Sequence, residues 1–438
     1  MTQSAEHPSY DPTAGVVDHC RELIRIDTSN YGDDSGPGER KAAEYVAGQL
    51  AEVGLEPQIV ESGPGRANVL ARWDGSDASL DALLVHGHLD VVPARAEDWD
   101  VDPFSGEVVD GYVWGRGAVD MKDFDAMVLS VVRARLRAGV APRRSVVLAF
   151  TADEEAGSRH GAHWLVDEHP DWFADCTEAV GEVGGFSTEV DGQRLYLVET
   201  GEKGMAWMRL TAHGTAGHGS MRHPDNAVTA LAEAITAIGA YDWPVQPGPS
   251  MQLLLEKVRE LSGSPSADAD ELIARFGPAA RMIGAGIRNT TNPTMLEAGY
   301  KVNVVPGEAQ ARVDGRFLPG QQEAFAEQMR RLVGDRIEID VETLDVALET
   351  DFSGELVDAM SVALLTEDPE AHIAPFLMSG GTDAKAWSRL GMRTYGFTPL
   401  RLPGDLDFTA LFHGVDERVP VDALHFGARV MDRFLDLA

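Results

Sequence analysis

The sequence predicts an α/β protein: a doubly wound, layered domain interrupted by a smaller α+β domain. Three observations predict it. Helical patterns alternate with short apolar runs suited to buried parallel strands over residues 37–151. The middle of the chain changes to the order βαββαβ, the pattern of a ferredoxin-like split βαβ unit. The chain has 438 residues and 44% hydrophobic content, too much for one ordinary core, so two domains are expected.

Residues 37–53 (GPGERKAAEYVAGQLAE) read as a helix stopped by Gly54. Residues 68–73 (NVLARW) and 82–86 (ALLVH) are short apolar runs, the second a buried parallel strand. Residues 124–138 read as an amphipathic helix ending at Gly139, and 146–151 (VVLAFT) as another buried strand. Residues 205–213 then alternate as a half-exposed strand, and 224–239 are helical. Residues 299–305 and 308–317 read as two strands joined by a Pro-Gly turn, followed by a helix over 320–334 and an alternating strand over 336–343. An insert over 240–297 fits no element of this unit. From about residue 350 the helix and strand alternation resumes, so the smaller domain interrupts the larger one. The expected division is 1–202 and 346–438 for the larger domain and 203–345 for a lid.

Acidic residues number 71 and basic residues 37, for a net charge of −34. That balance argues against nucleic acid and against an acidic membrane surface as partners. Two cysteines, Cys20 and Cys176, imply no disulfide framework. With no CxxC pair, any metal site must use histidines and carboxylates. Residues 1–15 are polar, without the basic and apolar regions of a signal peptide, and the expected location is the cytoplasm.

The chemistry-bearing residues fall near the ends of the expected strands. The first such strand runs into HGHLD, giving His86, His88 and Asp90. Residues two apart on an extended segment point the same way, so His88 and Asp90 can meet, as a carboxylate meets a metal-bound imidazole. A surface loop that happens to hold histidines would read the same. WGRGAVDMKD (114–123) places Asp120 in a glycine-rich loop before a helix, where an Asp taken alone reads as a plain N-terminal cap. ADEEAGS puts Glu154 and Glu155 at the carboxyl end of a buried strand, where ligands bind in open α/β sheets. Neighbouring carboxylates there can divide their work, one holding a metal and one moving protons. AVGEVGGF adds Glu182, and FHGVDERVP adds His413 and Glu417. A donor set of nitrogen and oxygen suits zinc, with manganese or cobalt as poorer fits. Five such ligands, a His, an Asp, two Glu and a second His, require one to bridge if they hold two metals, which is the geometry of two-metal hydrolases. In the lid, AGHGS places His218 in a turn, KVNVVP gives Asn303 and VDGRF gives Arg316. These side-chain types suit a scissile carbonyl oxygen and a substrate carboxylate, although hydrogen bonding within the lid would also explain them. MSGGTDA (378–384) is a glycine-rich turn whose amides suit an anion.

The ordered series HGHLD, GRGAVDMKD, ADEEAGS, GEVGG, AGHGS, KVNVVP with DGRFLPG, SGGTDA and FHGVDERV spans nearly the whole chain. It resembles the zinc aminoacylase, acetylornithine deacetylase, succinyl-diaminopimelate desuccinylase and carboxypeptidase family. The resemblance implies a zinc-exopeptidase-like three-layer catalytic domain with an inserted ferredoxin-like lid that often dimerises. It implies that His88 and Glu182 hold one metal, Glu155 and His413 the other, and that Asp120 bridges them. Asp90 would orient His88, and Glu154 would be the general base toward a bridging water. His218 would polarise the scissile carbonyl, typically from a partner subunit's lid. Asn303 and Arg316 would bind the carboxylate end, helped by the Gly380, Gly381, Thr382 turn. The peptide bond after the bridging Asp, here Asp120–Met121, is commonly cis in the family. GEVGG is nearer the aminoacylase and carboxypeptidase S branches, and the insert makes this lid longer than the simplest dimeric lids, which leaves a monomer open beside a homodimer.

The expected activity is therefore a di-zinc hydrolase with two Zn2+ per chain, replaceable by Co2+ or Mn2+. Its substrate would be a small N-acyl amino acid or short peptide with a free carboxylate. The rivals are a di-zinc aminopeptidase, which would read a free amine, and a non-catalytic metal-binding scaffold, which would be expected to lack the base at Glu154.

Overall fold

The computed structural model describes residues 10–33 and 35–438; the first nine of the fifteen polar opening residues lie outside them. A ten-stranded mixed sheet forms the centre of the large body. Its middle is parallel: strand Ala82–His88 pairs with Val146–Thr151 on one side and Cys176–Gly181 on the other. Both faces of these strands are covered, which is why they read as unbroken apolar runs. Alternation divides their side chains. Leu83, Val85, Val146 and Leu148 enter the core under the helices Val16–Arg25, Lys122–Ala138 and Val421–Leu437. Ala82, Leu84, Val147 and Ala149 enter the core beneath Ala162–Glu168 and Ala384–Ser388, around Phe173 and Trp387.

The helix expected over 124–138 runs Lys122–Ala138 and stops at Gly139, but it is not amphipathic in its surroundings. Residues 122–133 are buried without a break. The helix lies between the sheet and the two helices Val16–Arg25 and Val421–Leu437, so it has no solvent face along that length.

The small body is a four-stranded antiparallel sheet in the order Thr290–Ala298, Glu308–Phe317, Gly204–His213, Ile337–Asp345. Helices Ala227–Gly239 and Gln322–Val333 cover one face. This is the expected split βαβ order, with one correction. The strand read over 299–305 lies earlier, at Thr290–Ala298, and Val304–Val305 pairs instead with Gly217–His218. Thr290–Ala298 is an edge strand whose register shifts between Pro293 and Met295, and a proline at a bulge on an edge is what hides it from pattern reading.

The insert is the second correction. Its helix Pro249–Ser262 and the turns to Ile287 do not enlarge the small body. Met251, Leu254, Leu255 and Val258 join the main core beside Phe376 and Leu377, because this segment covers strand His372–Met378 of the large sheet.

Among the described residues no helix is long and apolar enough to cross a membrane. A three-stranded ribbon of Val108–Val109, Tyr112–Trp114 and Arg418–Pro420 brings the chain's end against the loop that carries Asp120.

Candidate metal centre

The parallel strands deliver the site. Their carboxyl ends place His88, the Glu154–Glu155 turn and Glu182 side by side. The opposite rim is supplied by Asp120 and by His413. His88 Nδ1 lies 2.9 Å from the backbone carbonyl of Asp90, which only accepts, so Nδ1 carries a proton and Nε2 is left facing the cluster. That Nε2 is 3.1 Å from Asp120 Oδ1 and 3.5 Å from Glu182 Oε2. His413 Nε2 is 3.2 Å from Asp120 Oδ2 and 3.0 Å from Glu155 Oε2. The two oxygens of Asp120 thus turn to two different histidines, each with its own glutamate. The Asp120–Met121 peptide bond is cis. Asp153, Val183 and His413 hold left-handed backbone (φ 65°, 53° and 57°), a conformation that L residues adopt at a cost and that clusters at functional sites.

His86, the other histidine of HGHLD, stays apart. Its ring packs 5.7 Å from that of Trp387, and a Cβ on Gly181 would fall 2.3 Å from it. Burial, then the charge of His88, pushes its imidazole down to about 3, so it is a neutral core residue.

Asp90 does more than face His88. Its carboxylate is 3.6 Å from Nδ1, farther than its own carbonyl. It accepts from Asn30 Nδ2 at 2.9 Å and from the backbone N–H groups of Glu154 and Glu155 at 3.0 and 3.2 Å. Asn30 also donates to Asp153, which pairs with Arg66, and Arg66 in turn reaches Glu39 at 2.9 Å. Sequence reasoning missed Asn30, Arg66, Glu39 and Asp153; Asp153, inside ADEEAGS, was the one with a visible signal. Glu417 lies fully buried beneath the Asp120 loop, paired with Arg116 at 2.7 Å.

The electrostatics of the cluster call for cations. Burial drives Glu154 and Glu155 above the usual carboxylate range, with Glu182 and Asp120 respectively adding to it, and burial pushes Glu182 up to about 8. Hydrogen bonds to Asp120 and Glu155 lift His413 to about 10. Burial also raises Asp120, but hydrogen bonds from His413 and His88 outweigh it and hold it low. Four carboxylates therefore share two imidazoles, and Glu155 Oε1 is buried with no hydrogen-bond partner. Donor atoms of His88, Asp120 and Glu155 lie within 4.8 Å of one another, as do those of His88, Glu154 and Glu182. Nitrogen and oxygen donors in surplus negative charge fit divalent cations.

A cavity of about 1050 Å³ opens over the cluster between the two bodies. Arg316, Gly380, Gly381 and Thr382 line it. Two of them are already engaged: Arg316 Nε donates to Asp314 Oδ1 at 2.7 Å, and both the N–H and the hydroxyl of Thr382 donate to Glu202. His218 and Asn303 are not brought to this centre. They sit together, exposed, where Gly217–His218 pairs with Val304–Val305 and Gly219 N–H donates to the Asn303 carbonyl. That is the far end of the small sheet. Arg316 lies opposite Met205, while Glu308 lies opposite His213. Eight residues of strand separate the two ends, roughly 26 Å at the usual rise.

The sequence profile of peptidase family M20/M25/M40 matches residues 84–437. Aminoacylase-1 of Sus scrofa is 29% identical over 434 residues, covering 95% of this chain and 92% of its own length. The N-fatty-acyl-amino acid synthase/hydrolase PM20D1 of Homo sapiens is 31% identical over 369 residues, 80% of this chain and 72% of its own. An M20 family metallo-carboxypeptidase from Sulfolobus solfataricus shares the fold with a TM-score of 0.73 at 20% identity, over 96% of this chain and 98% of that one.

Proposed function

The chain belongs to peptidase family M20/M25/M40 and is a metal-dependent amidohydrolase or exopeptidase, and from that premise we propose that it cleaves an N-acyl amino acid or short peptide at the amide bond next to a free carboxylate. The carrying observation is Asp120, whose two oxygens face His88 and His413 at 3.1 and 3.2 Å. In this reading His88 and Glu182 would hold one divalent cation, Glu155 and His413 would hold a second, and Asp120 would serve both. Zinc suits the donor set, with Co2+ or Mn2+ as substitutes. Two such ions would stabilise charge developing on the scissile carbonyl and make a water molecule more acidic.

The remaining steps are the protein's own. Glu154 takes the proton from the attacking water and returns it to the leaving nitrogen. Its carboxylate lies 4.0 Å from His88 Nε2. Glu155 is tied to His413, which favours giving the proton work to Glu154. Asp90 positions both glutamates through their backbone N–H groups. Arg316 and the Gly380–Thr382 turn hold the carboxylate end.

The catalytic domain takes 1–202 and 346–438 and the lid 203–345, with the helices over 249–287 packed back on the catalytic core. His218 and Asn303 would reach the site of a second copy, since their own is a sheet's length away. The exposed edge strand Thr290–Ala298, with Leu296 69% and the adjoining Tyr300 84% exposed, offers that copy a surface. Two free cysteines fit a cytoplasmic protein.

Elemental analysis of metal-replete protein, with a panel of N-acetyl amino acids and their carboxamides, tests the reading. Two ions per chain and cleavage of the acids are expected. One ion or none at saturation, or equal cleavage of the carboxamides, overturns it.

A further inference from the structure

Three basic side chains other than histidine line the cavity: Arg159, Arg316 and Lys385. Arg159 is exposed at the rim, and Arg316 is paired with Asp314. Lys385 is different. It is 3% exposed and lies against the glycine turn so closely that a Cβ on Gly381 would fall 2.7 Å from its ammonium. Its Nζ donates to the Lys203 carbonyl at 3.0 Å and pairs with Asp345 Oδ2 at 3.2 Å. The turn itself has less to offer an anion than its sequence suggests, because Thr382 spends its N–H and its hydroxyl on Glu202. The other buried lysine nearby, Lys203, is fully engaged by the Ala285 and Arg288 carbonyls and the Thr290 hydroxyl.

We propose that Lys385 is a substrate-binding residue that takes the substrate's carboxylate, and that Asp345 occupies its place on the ammonium until substrate arrives. This rests on the reading of the chain as a hydrolase of carboxylate-bearing amides. Both groups line the same cavity as the metal cluster, and both carboxylates offer the same chemistry to the ammonium. Asp345 ends strand Ile337–Asp345, where the chain leaves the small body for the large one. Exchange of partners at Lys385 therefore also releases one of the crossings between the two bodies.

The two partners have opposite predicted effects, which a merely structural ion pair would not show. The probes are N-acetyl-L-methionine and its carboxamide, titrated calorimetrically into metal-loaded full-length protein carrying Glu154→Gln so that turnover does not intervene. The acid should bind more tightly than the amide. Adding Lys385→Met should weaken the acid about tenfold or more and leave the amide unchanged, the loss expected when a charge-assisted contact is removed. Lys385→Arg should keep the preference for the acid. Asp345→Asn, which removes the competitor, should tighten the acid several-fold. Should Lys385→Met fold poorly, Asp345→Asn decides alone: tightening supports the exchange and weakening overturns it. A Lys385→Met protein that binds the acid as tightly as its Glu154→Gln parent overturns it, as does a background that binds acid and amide alike. If the acid binds through Lys385 yet the wild-type protein cleaves none of the acid panel, the hydrolase reading fails and the role of Lys385 stands.

Discussion

Glu417→Ala is expected to destabilise the protein far more than an ordinary acidic substitution, because one buried pair ties together the two segments that supply one rim of the metal cluster. Glu417 is fully buried, and its carboxylate accepts from Arg116 Nη1 and from the N–H of Val119, each at 2.7 Å. Arg116 is 4% exposed, sits over the Trp99 ring at 5.2 Å, and sends Nη2 to the His413 carbonyl at 3.4 Å. The pair thus links the loop of Asp120 to the segment of His413. Removing the carboxylate leaves a buried guanidinium without its counter-charge and the buried Val119 N–H without a partner, a loss of about 3–5 kcal/mol. That is a large fraction of a total stability of about 5–15 kcal/mol. The native pair is itself held against desolvation: burial pushes the Glu417 carboxyl up to about 7 even with Arg116 pulling it down. Replacing both groups by apolar ones, Arg116→Met with Glu417→Leu, should therefore recover much of the loss. Urea denaturation of Arg116→Met, Glu417→Leu and the double variant gives the coupling, expected at about 2–3 kcal/mol. A Glu417→Ala loss below about 1 kcal/mol, the net worth of an ordinary hydrogen bond, would refute the reasoning. So would a double variant whose loss equals the sum of the singles.

Three further outcomes are expected. Glu154→Gln should keep its metal and lose turnover by about 10²–10⁴, the usual worth of general-base catalysis, whereas Glu155→Gln should lose an ion; near-native turnover in Glu154→Gln would show the two roles exchanged. Mixing Glu154→Gln chains with His218→Ala chains should restore activity, since some sites then combine an intact glutamate with an intact histidine from the other chain; a mixture that stays inactive, or a fully active monomer by sedimentation, excludes donation between subunits. Burial, then Arg133, holds the His19 imidazole down at about 4, so as pH falls the unfolded chain takes up the proton before the folded one. Stability should drop from pH 6.5 toward 4 by up to about 1.4 kcal/mol per unit, and His19→Gln should flatten that limb; identical slopes in the two proteins would be evidence against it.

By itself, the sequence determined the residues of the centre and the kind of chemistry they suit. His88, Glu154, Glu155 and Glu182 each follow an apolar run suited to a doubly covered parallel strand, and such strands present their carboxyl ends to one crevice. Spacing of two or three residues along one element has known geometry, so HGHLD and ADEEAGS could be read locally. Tertiary structure decided what depends on distant segments meeting. Asn30 reaches Asp90 across 60 residues and Arg116 reaches Glu417 across 301, and no local period encodes either pairing. The edge strand Thr290–Ala298 was hidden by its own proline and bulge. The insert's helices looked like lid because chain order placed them there, yet the apolar cover needed by strand His372–Met378 drew them to the large core. His218 and Asn303 share motifs with the site but stand at the far end of an antiparallel sheet from it, because consecutive strands run in opposite directions and turns at one end cannot reach the other.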